Sequence, residues 1–177
     1  MSPMNARMPT PEGVIRNEAS TALVLISLAT ALCINLLPWS GTVLFLHPDF
    51  LLIVLIYWCM EEPRRVGATS AFFAGFLMDI VESSLIGQNA LVYSLSAFVA
   101  LQFRLRILSF NWGLQALHVF LILFLGQALF TLEQVILGNA FPVSLYFLRS
   151  MLGMMLWPVI AWILEIPRRR PTKDEIA

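Results

Sequence analysis

The stretch "GFLMDIVESSLIGQNAL", residues 75–91, decides how this chain is read. It begins as the end of an apolar helix and breaks at a run of small and polar residues. It also carries two carboxylates one helical turn apart, Asp79 and Glu82. A carboxylate at the centre of a membrane helix costs about 2.5–3.5 kcal/mol on insertion scales. Either this segment avoids the membrane, or its acids face something other than lipid.

The surrounding composition supports the second reading. Of 177 residues, 59% are hydrophobic and 12% charged. The mean hydropathy is +0.80. A soluble domain carries roughly 25% charged residues, so this chain cannot clothe a water-facing surface and belongs in lipid. At about 20 residues per span it has room for about six helices and no soluble domain. The net charge is zero, and no nucleic-acid partner is expected.

Working outward from 75–91, apolar segments fall at about 19–37, 48–60, 65–83, 88–103, 112–137 and 142–166. The second is short, roughly 20 Å against a hydrocarbon core of about 30 Å. Pro142 suits the first turn of the last helix, and Pro158 is expected to kink it. The fold class expected is an all-α integral membrane protein of six transmembrane helices. Residues 1–18 form an N-terminal segment, 19–166 the helical domain and 167–177 a polar tail. No short leader with a small-residue cleavage site precedes the first apolar segment, which is read as a retained span.

The basic residues orient this arrangement. Arg7 and Arg16 precede the first segment; Arg64 and Arg65 separate the second from the third. Arg104 and Arg106 follow the fourth, and Arg168, Arg169, Arg170 and Lys173 follow the sixth. The alternate loops, 38–47, 84–88 and 138–141, hold no Lys or Arg. Ten of the 11 basic residues thus fall on one side, and Arg149 lies inside the sixth segment. The positive-inside rule places both termini in the cytoplasm.

Helical wheels then assign faces. On the third segment Gly67, Ala71 and Gly75 recur every four residues, a spacing that lets helices approach closely. Asp79 and Glu82 extend that stripe, while Phe73, Phe76, Leu77 and Ile80 lie opposite and face lipid. Ala90, Ser94 and Ala97 give the fourth segment a second packing face. Both small-residue faces are expected to offer seams for a partner's span. Gln115, Gly126, Gln127, Glu133 and Gln134 share an arc of the fifth, and Tyr146, Arg149, Ser150, Gly153 and Trp157 a face of the sixth. By depth, Asp79, Glu82, Glu133 and Arg149 gather in the outer half of the membrane. They are expected to form an intramembrane polar cluster, structural or partner-reading, with Arg149 paired to Asp79 or else to Glu133.

No catalytic, cofactor-binding or metal-binding set emerges. Cys33 and Cys59 lie singly in apolar segments, and His47 and His118 are isolated. His118 sits off the polar arc and reads as a packed or interfacial residue. There is no Gly-x-Ser-x-Gly or His-Glu-x-x-His motif. A non-enzymatic protein without cofactors is expected.

The chain resembles the MreD family of bacterial rod-shape proteins. The matching features are "LLPW" at 36–39, "HPDFLLIVLIYW" at 47–58 and "PRRVG" at 63–67, then Gly75, Asp79, Gly87 and "NAL" at 89–91. "WGLQAL" at 112–117 and "LWP" at 156–158 complete the series. The resemblance implies a membrane subunit of the cell-elongation machinery that supports lateral peptidoglycan synthesis. Its implied partners are MreC, a bitopic protein, and in the wider complex RodA, an elongation transpeptidase and MreB, together with membrane lipid. It also implies a fold like that of the substrate-binding components of energy-coupling-factor transporters. The alternative function is a small-solute binding subunit of a membrane transporter.

Overall fold

A computed structural model describes residues 19–40, 47–82, 86–138 and 143–168, the side chains of 143–146 excepted. Six α-helices follow one another: α1 (Thr21–Asn35), α2 (Phe50–Glu61), α3 (Ala68–Val81), α4 (Gln88–Leu108), α5 (Trp112–Ile136) and α6 (Val143–Glu165). A single 3-10 turn, Ile166–Arg168, closes α6. Among the described residues there is no strand.

The chain crosses back and forth between two polar ends. At one end Arg104 of α4 donates to the Met60 carbonyl of α2, and Arg168 after α6 reaches Glu61 and Glu62. Glu62 also accepts from the Ala19 amide, just before α1. At the other end the last turn of α1 meets the first turn of α2, and the first turn of α4 meets the last turns of α3 and α5. The arginines that separate the apolar segments thus share one end, as the alternation of charge requires.

Helix α2 is the centre of the bundle. Every residue from Leu51 to Met60 is buried, because α2 is apolar on all sides and has no face to offer water. It packs on α1 and α4 and touches α3 and α6, while α3 lies on α4, α4 on α5 and α5 on α6. Asp49 caps its first turn, accepting from the Leu52 amide at 3.0 Å.

Among the described residues there are six helices, of which α4, α5 and the stretch Phe147–Arg168 are long and apolar enough to cross a membrane. The other three are shorter apolar helices. Helices α1, α2 and α3 have 15, 12 and 14 residues, about 22, 18 and 21 Å. The physical reason is plainest in α2. A helix enclosed by protein need not match the hydrocarbon thickness, and its polar ends are satisfied by neighbouring helices rather than by water.

Other expectations shift in detail. Helix α4 runs five residues beyond its expected end at 103 and carries Arg104 and Arg106 in its final turns. Cations at a helix C-terminus complement its dipole, and their stems cover apolar surface. Helix α6 runs on past Pro158, which lies inside it. Phe73, Phe76, Leu77 and Ile80 are exposed, as the wheel places them. His118 is half-buried and stacks on Phe110, with ring centroids 5.2 Å apart. The segments 1–18 and 169–177, Pro142 and the side chain of Tyr146 lie outside the described residues.

Candidate functional site: a polar layer that joins the helices

Asp79 is 1% exposed, near the C-terminus of α3. Its carboxylate accepts three backbone N–H bonds from the start of α4: Asn89 at 2.7 Å, Gly87 at 2.9 Å and Ala90 at 3.3 Å. The first amides of a helix have no intrahelical partner and sit at the positive end of its dipole. Asp79 therefore caps α4 from the preceding helix. The acid is thus held by a helix N-terminus.

The rest of the segment serves the same joint. Gly87, the residue before α4, has φ +103°, a left-handed conformation that glycine adopts without strain. A Cβ on Gly75 would lie 2.4 Å from the Asn89 carbonyl oxygen and 2.6 Å from the Ala90 Cα, so only glycine lets α3 lie this close to α4. Glu82, just past α3, accepts from the Asn89 side-chain amide at 3.1 Å.

The predicted packing faces meet each other. Ala71, Ala90 and Ala97 are fully buried, and Gly75 presses on the α4 backbone. Ser94 is half-buried and donates to the Ala90 carbonyl. Gly67 departs from the stripe. Nothing lies within 4 Å of a Cβ placed there. It precedes α3, and its amide donates to Ser70 Oγ at 2.9 Å. Between Gly75 and Ala90 the seam is filled by α3 and α4 themselves, while Ser94 lines an open groove.

A second acid, Asp49, holds the other half of the layer. Besides the Leu52 amide it accepts from Asn35 Nδ2 of α1 at 2.7 Å and from Tyr93 Oη of α4 at 2.5 Å. Asn35 Oδ1 accepts in turn from the Phe50 amide. One carboxylate thus fastens α1, α2 and α4. Arg149 of α6 donates through Nε to the His47 carbonyl at 2.8 Å, which ties α6 to the segment entering α2. Burial, then the neighbouring Arg149 charge, holds the His47 imidazole below the usual histidine range.

Asp49, Asn89, Tyr93, Gln127 and Arg149 surround a cavity of about 30 Å³, the size of one water. Ser150 donates to Gln127 at 2.5 Å and links α6 to α5. Glu133 stands apart from this core, beside Gln88 on the wall of a larger groove between α4 and α5. Of the four expected members, Asp79 and Glu82 share the α3–α4 joint and Arg149 the Asp49 side. Glu133 belongs to the groove.

Sequence reasoning missed Asp49, Asn35, Tyr93 and Asn89. Asp49 had a readable signal: an Asp immediately before a long apolar run is an N-cap. Tyr93 and Asn35 had none, because what a lone polar residue in an apolar helix faces depends on its neighbours. Among the described residues no group of His, Cys, Asp or Glu is arranged to hold a metal ion.

The family model for the rod shape-determining protein MreD matches residues 17–166. A rod shape-determining protein MreD of Haemophilus influenzae is 29% identical over 140 residues, spanning 79% of this chain and 86% of the relative. No solved structure matches. The match runs from before α1 to the end of α6 and includes both acids of the polar layer, and the chain belongs to the rod shape-determining MreD family.

Proposed function

We propose that this chain is a non-enzymatic scaffold of the cell-elongation machinery that assembles with MreC and supports lateral peptidoglycan synthesis. Family membership gives a membrane protein with a role in rod shape determination. The observation that carries the scaffold reading is the use of the buried acids. Asp79 and Asp49 direct their oxygens at amides and side chains of neighbouring helices, which fixes one arrangement of the bundle. The arginine-bearing end faces the cytoplasm of a multi-pass inner-membrane protein, in keeping with the positive-inside rule. RodA, the transpeptidase and MreB belong to the wider complex.

Because the small-residue seam between Gly75 and Ala90 is occupied, MreC is assigned to another surface. Helix α3 rests on α4 and leaves Phe73, Leu77 and Ile80 exposed in one line. Aromatic and aliphatic anchors of this kind are enriched at interface centres. We also propose the bundle architecture of the energy-coupling-factor substrate-binding components, in keeping with six antiparallel helices and a groove at the end opposite the arginines. Photo-crosslinking residues placed at 73, 77 and 80, with MreC co-expressed, test the assembly. Crosslinks to MreC are expected from these positions and not from Leu105 or Ile163. Capture of MreC from the control positions alone, or from none, rejects the assignment.

A further inference from the structure

The groove between α4 and α5 has a chemistry that the helix joints do not use. Its volume is about 620 Å³, and it is lined by Phe72, Ile86, Leu91, Ile136 and Leu137 around Gly87, Gln88, Ser94 and Glu133. The apolar lining residues are exposed, so the groove opens on the surface that meets hydrocarbon. Two buried polar atoms in its wall, Gln88 Nε2 and Glu133 Oε2, complete no well-formed hydrogen bond, although the Gln88 amide lies close enough to Glu133 to favour its carboxylate. Gln88 is 5% exposed. Its Oε1 accepts from Gln134 Nε2 at 3.4 Å. A buried polar group without a partner is costly, and more so beside hydrocarbon.

We propose that this groove binds one membrane lipid with an aminoalkyl phosphate headgroup. The wall holds one amide side chain, Gln88, and one carboxylate, Glu133. No Lys, Arg or His is among the described residues that line it. A purely anionic headgroup would meet a carboxylate and no counter-charge. An ammonium answers Glu133, and a phosphate oxygen answers Gln88. The size selects a lipid over a spanning helix. Along α4 the lining runs from Gln88 to Ser94, about 9 Å, whereas a spanning helix needs a seam along the roughly 30 Å core. The volume lies in the range of small-molecule sites.

The test uses the full chain in mild detergent, with palmitoyl-oleoyl phosphatidylethanolamine and phosphatidylglycerol as probes. Native mass spectrometry counts retained lipid, and thermal melting reads stabilisation. One phosphatidylethanolamine is expected per chain, bound about tenfold or more tighter than phosphatidylglycerol, the factor expected of one charge-assisted hydrogen bond. Glu133→Gln keeps the shape and removes the preference. Leu91→Trp fills the groove and removes the bound lipid, while Ile163→Trp, on the exposed side of α6, retains it. Melting without added lipid confirms that each variant is folded. Equal retention of the two lipids overturns the proposal, as does a preference that survives Glu133→Gln. MreC crosslinking that is lost in Leu91→Trp and kept in Ile163→Trp overturns it too, by showing that the groove holds a protein helix.

Discussion

Replacing Asp79 by alanine should be among the most damaging single changes in this chain. The carboxylate satisfies three amides, and two of them, on Asn89 and Ala90, belong to buried residues. An orphaned buried donor costs about 1–3 kcal/mol, so the two together cost about 2–6 kcal/mol. Loss of the carboxylate's interaction with the α4 dipole adds about 0.3–1 kcal/mol. A protein of ordinary stability has about 5–15 kcal/mol in total. Asp79→Asn should fall between parent and alanine. One amide oxygen can replace Oδ1 or Oδ2, and the amide nitrogen then faces a donor. Reversible unfolding in mixed micelles, followed by circular dichroism, gives the stability change. Amide hydrogen exchange locates it, and residues 87–90 should lose protection before the rest of α4. If Asp79→Ala unfolds within about 0.5 kcal/mol of the parent, the range of a neutral surface change, and exchange at 87–90 is unaltered, the capping argument is wrong.

Four further outcomes are expected. Gly75→Ala should destabilise by about 1–3 kcal/mol or more, because its Cβ meets the α4 backbone. Gly153→Ala should cost less, because there the nearest atom is Leu123 Cδ1, the end of a rotatable side chain; parallel unfolding curves decide the order. Gly87→Ala, forced to keep φ near +103°, should lose about 1–2 kcal/mol in the same assay. Asp49→Ala and Tyr93→Phe, which share a 2.5 Å hydrogen bond, should show a coupling of about 1–3 kcal/mol in a double-mutant cycle. Arg168→Ala should cost about 2–4 kcal/mol by leaving the half-buried Glu61 and Glu62 without this guanidinium. Charge-neutral Glu61→Gln and Glu62→Gln added to Arg168→Ala should restore part of that loss.

Several features of the fold were legible in the chain. The third and fourth apolar segments read as helices with small-residue faces, and they pack on each other through Gly75 and Ala90. Phe73, Leu77 and Ile80 read as lipid-facing and are exposed. The arginine alternation read as two distinct ends, and Arg65, Arg104 and Arg168 share one of them. The partner of Asp79 was not legible. A wheel gives the direction in which a side chain leaves its own helix, and depth gives its height. Neither shows that the nearest acceptor-seeking groups are backbone amides of the next helix, because every residue carries such an amide.

The segment 47–60 shows the same division more sharply. Its shortness and its apolar character on every side are properties of the residues in order. They imply a helix with no face toward water. That this helix is the hub of the bundle, closed by Asp49 at one end and by Glu61, Glu62 and Arg168 at the other, was decided by four neighbouring helices. Local sequence determines periodicity, charge and the conformations open to Gly87. Partnership is a property of atoms brought together from distant positions. Asn35, Asp49, Tyr93 and Arg149 lie on or beside four different helices, and only the packed bundle made them one polar layer.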